Sequence, residues 1–326
     1  MASDDSAGGR LRDWVLLDGN RMAVTAVFLL TVFAVLGPAG HVVAHSVGDG
    51  LSDTHTLSPL FTTQLSGVFL LVSIVVSINS LFVSNEQMPL GRQLDRIRNI
   101  GQFRRDLESA ADTTISPTEP DRFLTVLTGT VLTRVQTLED QLEHADADLQ
   151  ADVTAFLEDV TAQTRRVRDQ VEHTDGTFGI VRATMYYDYA TMGHDLRRIR
   201  REYDEDLPDD ARDTVSELLD LLEYFATARE YFKTLYFERE FAALSKGLLY
   251  VSIPVIPMLA FVLMHLGDLP DSQTLVAGVH TLGYTPFGLL AAYVLRVATV
   301  SQWSGAAGQF VIDGDDEGPS LESADD

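Results

Sequence analysis

Four stretches of this chain are apolar for too long to be loops, and they come in two pairs. The first runs from about Met22 to Ser46, the second from about Leu60 to Val83. The third covers about Gly247 to Leu266 and the fourth about Thr274 to Thr299. Each has about the 20 residues that a helix needs to cross ~30 Å of hydrocarbon. In the first, Ala23 to Leu36 has only Thr25 and Thr31 as polar residues before Gly37-Pro38-Ala39-Gly40 interrupts it. Pro254 and Pro257 predict kinks in the third stretch, and Pro286 predicts one in the fourth. A cleaved leader ending at Val42-Val43-Ala44 is the rival reading of the first stretch. Its preceding residues, with four Asp against three Arg, make a poor leader.

Between the pairs the period changes from continuous apolarity to helical spacing, and no period-two alternation is long enough for a sheet. Leu90 to about Ala111 reads as a helix after Pro89, and Ile115 to Thr118 as a loop. Thr118-Glu119-Pro120-Asp121 reads as a helix start, with a capping hydroxyl and Pro in the first turn. Leu124, Val131, Leu138 and Ala145 repeat every seven residues, and Val135, Leu142 and Leu149 form a second row. That is a heptad seam. Val153, Val160 and Val167, with Phe156, Leu157 and Val171, continue a similar stripe. A hairpin with its turn near His144 to Asp148 is favoured, because one helix from Asp121 to His173 would be ~80 Å long. A third helix is expected over about Phe178 to Glu205. A fourth starts at Pro208-Asp209-Asp210 and runs into the third apolar stretch, since no Pro or Gly lies between Pro208 and Gly247. Val215, Leu218, Leu222, Phe225 and Phe232 mark its buried face. Tyr231, Tyr236, Phe237 and Phe241 are candidates for an aromatic collar near the membrane.

Charge supplies the topology. Twenty of the 24 Lys and Arg residues lie between Asn85 and Lys246. The loops inside the pairs, Val47 to Ser58 and Gly267 to Ser272, carry Asp and neither Lys nor Arg. Cytoplasmic loops near spans collect the basic residues. The chain therefore reads as an all-α membrane protein with four transmembrane helices. A cytoplasmic helical-bundle or coiled-coil domain is inserted between spans two and three, and both termini lie on the cytoplasmic side of the cell membrane. The expected organisation is a cytoplasmic segment 1–21, a transmembrane hairpin 22–84, a cytoplasmic helical domain 85–246, a second hairpin 247–300 and an acidic disordered tail 301–326. Trp14 and Trp303 flank the bundle as interfacial aromatics.

The formal net charge is −24, with only two Lys among the basic residues and no Cys. Such dense carboxylate fits a cytosol of molar salt, where the Debye length is ~3 Å and self-repulsion is screened. A cationic partner is the alternative. Without Cys there are no disulfides, thiolate metal sites or thiol catalysis. No phosphate loop, dinucleotide fingerprint, zinc-protease helix or nucleophile elbow is present, so no enzyme, no cofactor and no nucleic-acid partner is expected.

Candidate functional residues lie in and beside the spans. Thr62, Ser66, Ser73, Ser77, Ser80 and Ser84 fall within about 60° of one another on span two. They form a hydroxyl face that lines a pore or packs closely against another helix. In span four, Thr274, Gly278, Thr281, Thr285, Gly288, Ala292 and Arg296 form a matching face, on which Thr281, Thr285 and Arg296 are pore-lining candidates. Arg92, Arg96, Arg98, Arg104 and Arg105 make a basic patch where anionic headgroups would lie. His41, His45, His55, His265 and His280 map to the outer side. His41 and His45, at i and i+4, are weak metal candidates, and no metal site is assigned.

Thr281-Leu282-Gly283-Tyr284-Thr285 is similar to the Thr-Val-Gly-Tyr-Gly filter of potassium channels, but it lies within a span rather than a re-entrant loop. Ser84-Asn85-Glu86-Gln87-Met88-Pro89-Leu90-Gly91, with Arg96-Ile97 and Phe103-Arg104 beyond, resembles a segment of uncharacterised multi-span proteins of haloarchaea. That resemblance implies a salt-loving archaeal membrane protein and carries no known activity. The layout of spans is similar to bestrophins and innexin-like channels, whose pore motifs are missing here. Three functions are compatible with these features. They are a homo-oligomeric ion channel or pore with a cytoplasmic gating domain, a membrane-anchored scaffold or signalling protein acting through its coiled-coil helices, and a transporter. The transporter ranks last because the two span pairs show no internal repeat. Expected partners are the lipid bilayer, further copies of the chain and inorganic ions.

Overall fold

The computed structural model describes residues 11, 14–39, 54–86, 89–173, 176–185, 187–268 and 272–305. All regular elements among them are helical. They are α1 (Arg21–Ala34), α2 (Thr54–Glu86), α3 (Leu90–Ala110), α4 (Pro120–Gln141), α5 (Ala147–Glu172), α6 (Gly176–Met185), α7 (Tyr189–Glu202), α8 (Asp209–Met264), α9 (Gln273–Gly283) and α10 (Thr285–Gly305), with π-helical turns at Trp14–Asp18 and Val35–Ala39. The described residues of Met1–Gln93 and Phe237–Val300 form one compact unit. Those of Leu94–Tyr236 and Ser301–Asp326 form another.

In the first unit, α2 buries Leu57, Phe61 and Val68 against Val255, Leu259 and Val262 of α8. One turn and more further along, Val75 packs with Leu244 and Leu248 of α8 and Leu289 of α10. The helix α9 packs on α1, on the following π-turn and on α2. Span four is not one straight helix: α9 and α10 meet at Tyr284 with a 44° bend. Pro286 lies in the first turn of α10, where a missing N–H costs nothing, so the break falls just ahead of it. Pro254 and Pro257 behave differently, since α8 continues unbroken through both. The helix of span two begins earlier than the sequence suggests, at Thr54.

The second unit is a bundle closed by the α4–α5 hairpin. Leu124, Val131, Leu138, Val135 and Leu142 of α4 and Leu149, Val153, Val160 and Val167 of α5 are all buried. The heptad rows thus meet one another within the chain, and Ala145 belongs to the turn rather than to a seam. Asp146 caps α5 by accepting from Asp148 N. The cap expected at Thr118 does not form: α4 is preceded by Glu119, whose side chain makes no capping bond, and Thr118 Oγ1 donates to Glu119 Oε2 at 3.3 Å.

The third helix of the sequence reading is two helices. Asp188 caps α7 by accepting from Thr191 N at 3.1 Å, and its own N–H donates to Gln163 Oε1 at 3.1 Å. Beside it, Tyr187 is turned fully inward with its ring 4.2 Å from that of Phe225. An aromatic plug and a local cap together favour a break over a continuous helix. Within α8, Val215, Leu218, Leu222, Phe225 and Phe232 are buried as their spacing implies. Of the aromatic collar residues, Tyr236 packs on Phe178, Tyr231 on Phe232, and Phe241 joins the packing around Val75.

Candidate functional site

The second span has two faces of opposite character. Phe61, Val68 and Val75 recur every seven residues and are buried. Thr62, Ser66, Ser73, Ser77 and Ser80 lie about 145° around the helix from them and are exposed. Four of these hydroxyls bond backward within their own helix. Thr62 Oγ1 donates to Ser58 O at 2.8 Å, Ser73 Oγ to Phe69 O at 3.0 Å, Ser77 Oγ to Ser73 O at 3.0 Å and Ser80 Oγ to Val76 O at 2.9 Å. The backward bonds are the usual recourse of Ser and Thr side chains inside a helix. Among the described residues this face is exposed rather than closely packed on a neighbouring helix, one of the two expected uses. The side chain of Ser84 lies outside the described residues.

The matching face of span four is turned elsewhere. Thr281 is buried and donates to Ala277 O at 2.7 Å, while half-buried Thr285 donates to Leu282 O at 2.7 Å. Gly288 faces α1, where a Cβ would come within 2.6 Å of the Phe28 ring. Arg296 points to the start of α1 and donates to Gly19 O at 3.0 Å. Reciprocally, Arg21 at the start of α1 donates to Ala292 O of α10 at 3.3 Å. The two arginines clasp α1 to α10, while Thr281 and Thr285 bond within the α9–α10 pair rather than to the serines of α2. Small residues here permit close helix approach, and the guanidinium fork satisfies backbone carbonyls.

Where α2 meets the bent span there is a polar contact that residue patterning did not single out. Gln64 Nε2 donates to His280 O at 2.8 Å, and His280 Nδ1 lies 3.1 Å from Gln64 Oε1. The imidazole stacks on Phe61 with centroids 4.0 Å apart. His280 Nε2 is buried without a hydrogen-bond partner. The available signal was the amide of Gln64 inside an apolar run, since polar side chains at that depth demand partners. His280 is therefore an interhelical residue, held between α2 and α9. His265 is engaged locally, with Nδ1 3.0 Å from Phe261 O. His41, His45 and the side chain of His55 lie outside the described residues, as does the side chain of Trp303. Among the described residues no group of His, Asp and Glu is placed to hold a metal ion.

The basic patch divides. Arg104 donates to Pro117 O at 2.6 Å and so fastens the α3–α4 loop, and Arg105 donates to Gln102 Oε1 at 2.8 Å. Arg92, Arg96 and Arg98 are exposed. The same loop is held by Glu108, whose Oε1 accepts from Ser116 N at 2.7 Å and from Ser116 Oγ at 2.9 Å. Those two bonds, with Arg104 and Arg105 nearby, hold the Glu108 carboxyl below its ordinary pKa.

These features define an all-helical protein with three helices long and apolar enough to cross a membrane, or four if the bent pair α9–α10 counts as one span. The chain belongs to a family of unknown function (DUF7972), which it matches over residues 2–324. No curated protein and no solved structure matches it.

Proposed function

We propose that the protein is a homo-oligomeric membrane pore or ion channel in which the hydroxyl face of α2 lines a shared axis and the helical domain 85–246 regulates it from the cytoplasm. One observation carries this reading: Thr62, Ser66, Ser73, Ser77 and Ser80 face outward from a single chain, opposite the apolar face that packs on α8. A polar path inside one protomer is disfavoured, because Thr281 and Thr285 spend their hydroxyls within the α9–α10 pair and Arg296 reaches Gly19 rather than the serines. Several copies would have to surround the path. Both termini lie in the cytoplasm of a salt-adapted cell on this reading, following the placement of Lys and Arg. No catalytic step is assigned to any residue.

A second reading has its own support. The backward bonds satisfy the hydroxyl donors of Thr62, Ser73, Ser77 and Ser80, so most of that face tolerates lipid, as it would in a membrane-anchored scaffold. Cysteine substitution separates the two, and the natural chain has no Cys to interfere. In a pore, Ser73→Cys and Ser77→Cys variants react with a water-soluble thiol reagent, and the protein in detergent at high salt is a ring of several subunits. Protection of both positions together with a monomer or dimer removes the pore and leaves the scaffold. A reporter fused near residue 160 that lights up outside the cell overturns the orientation.

A further inference from the structure

The first three turns of α3 are exposed among the described residues. Every residue from Gly91 to Asn99 is exposed, Leu94 and Ile97 at 46% and 68%. Further along, the same helix is anchored: Phe103 stacks on Phe123 and Leu107 is fully buried. Its free part is amphipathic in a particular way. Leu94, Ile97 and Ile100 lie within about 120° of one another, and Arg96 and Arg98 each stand about 40° outside the edges of that stripe. Asp95 and Asn99 occupy the opposite side. An apolar stripe edged by guanidinium groups is what a helix lying in a lipid interface presents.

We infer that Leu94, Ile97 and Ile100 insert into the membrane surface while Arg96 and Arg98 bind anionic phosphate headgroups, making this part of α3 an interfacial helix. Charge complementarity selects the occupant. Between Leu90 and Arg105 five arginines stand against the single acid Asp95, in a protein whose net charge is −24. Such a segment repels neither phosphate nor the rest of its own acidic chain, and neither Arg96 nor Arg98 has an ion pair among the described residues. The tether keeps it close. The three residues between α2 and α3 span at most about 14 Å from Glu86 to Leu90, so the helix begins near the end of span two. The inference needs only that α2 crosses a membrane and is independent of whether a pore exists.

The test uses the full chain in vesicles of phosphatidylcholine alone or mixed with phosphatidylglycerol. A fluorophore sensitive to polarity is attached to an Ile97→Cys variant and, as control, to an Asn99→Cys variant. The expected result is that the label at 97 is shielded from an aqueous quencher and quenched by nitroxide lipid, more so with phosphatidylglycerol, while the label at 99 stays accessible. Removing each arginine (Arg96→Gln, Arg98→Gln) lowers the docked-to-free ratio about fivefold. Arg96→Lys and Arg98→Lys retain most of it, which separates lost charge from lost folding. Equal quenching at 97 and 99 in both lipids overturns the inference. So does shielding indifferent to phosphatidylglycerol, and shielding that vanishes on dilution to one chain per vesicle identifies a second copy as the cover.

Discussion

Gln64 and His280 hold each other at two points, the amide nitrogen on the imidazole residue's own carbonyl at 2.8 Å and the amide oxygen 3.1 Å from Nδ1. Because the amide nitrogen is the donor in the first bond, the amide oxygen is the acceptor in the second. His280 therefore carries its proton on Nδ1. A Cβ placed on Gly283 would collide with the same amide. The glycine is thus needed because another helix's side chain occupies the space.

Gly283→Ala should destabilise the protein by about 1–3 kcal/mol through that collision. Gln64→Ala should cost about 1–3 kcal/mol by stranding His280 Nδ1. The double variant should lose much less than the sum, since removing the amide makes room for the methyl. Thermal unfolding of the four proteins in detergent measures the coupling, and strict additivity would show that the two residues do not meet.

Leu138 and Leu142 are 1% and 2% exposed. Leu138→Asp should therefore unfold the helical unit rather than dissociate an assembly, while Leu138→Ala should cost about 2–5 kcal/mol. Circular dichroism and limited proteolysis distinguish these outcomes from a change in size on a column with helicity intact.

The Glu108 contact predicts an acid-sensitive loop. A carboxyl held below 4.5 in the folded state adds stability that is present above pH 4.5. That stability is lost as pH falls through the lower, folded value. Glu108→Gln should free Ser116 and speed proteolytic cutting between residues 111 and 119 at pH 7. At pH well below 4.5 the variant and the natural protein should be cut alike.

At the alkaline end Tyr187 is informative. Burial pushes its hydroxyl up to about 12, against the hydrogen bond to Thr164 that pulls it down. A raised value means the folded state keeps its proton longer, so stability is whole below pH 10 and declines as pH rises toward 12. Tyr187→Phe should cost about 1–2 kcal/mol at pH 7 and flatten that decline. Denaturant midpoints at pH 7 and pH 11 report both effects.

Some of this was readable from residue order because water enforces it. The α4–α5 hairpin follows from Leu124, Val131 and Leu138, whose apolar row has to be covered in an aqueous unit. The unbroken α8 follows from the lack of Pro and Gly between Pro208 and Gly247. Span two is different. Phe61, Val68 and Val75 recur every seven residues, and so do Ser66, Ser73 and Ser80. In a bilayer the solvent is as apolar as the core, so polarity alone does not say which row turns inward. The break at Asp188 was hidden for another reason. Its cap bond to Thr191 is local, but the break also depends on Tyr187 reaching Phe225, a contact no window of sequence contains. Arg104 was read as a headgroup ligand for the same lack of long-range information, since its partner Pro117 lies across a loop.

A hydroxyl whose hydrogen is committed to its own backbone has only lone pairs left to turn outward. Along span two this happens at Thr62, Ser73, Ser77 and Ser80 in succession. Whatever meets that ridge finds a ladder of oxygen acceptors. Water protons, ammonium groups and partly dehydrated metal cations have something to hold there, whereas a halide or a carboxylate does not.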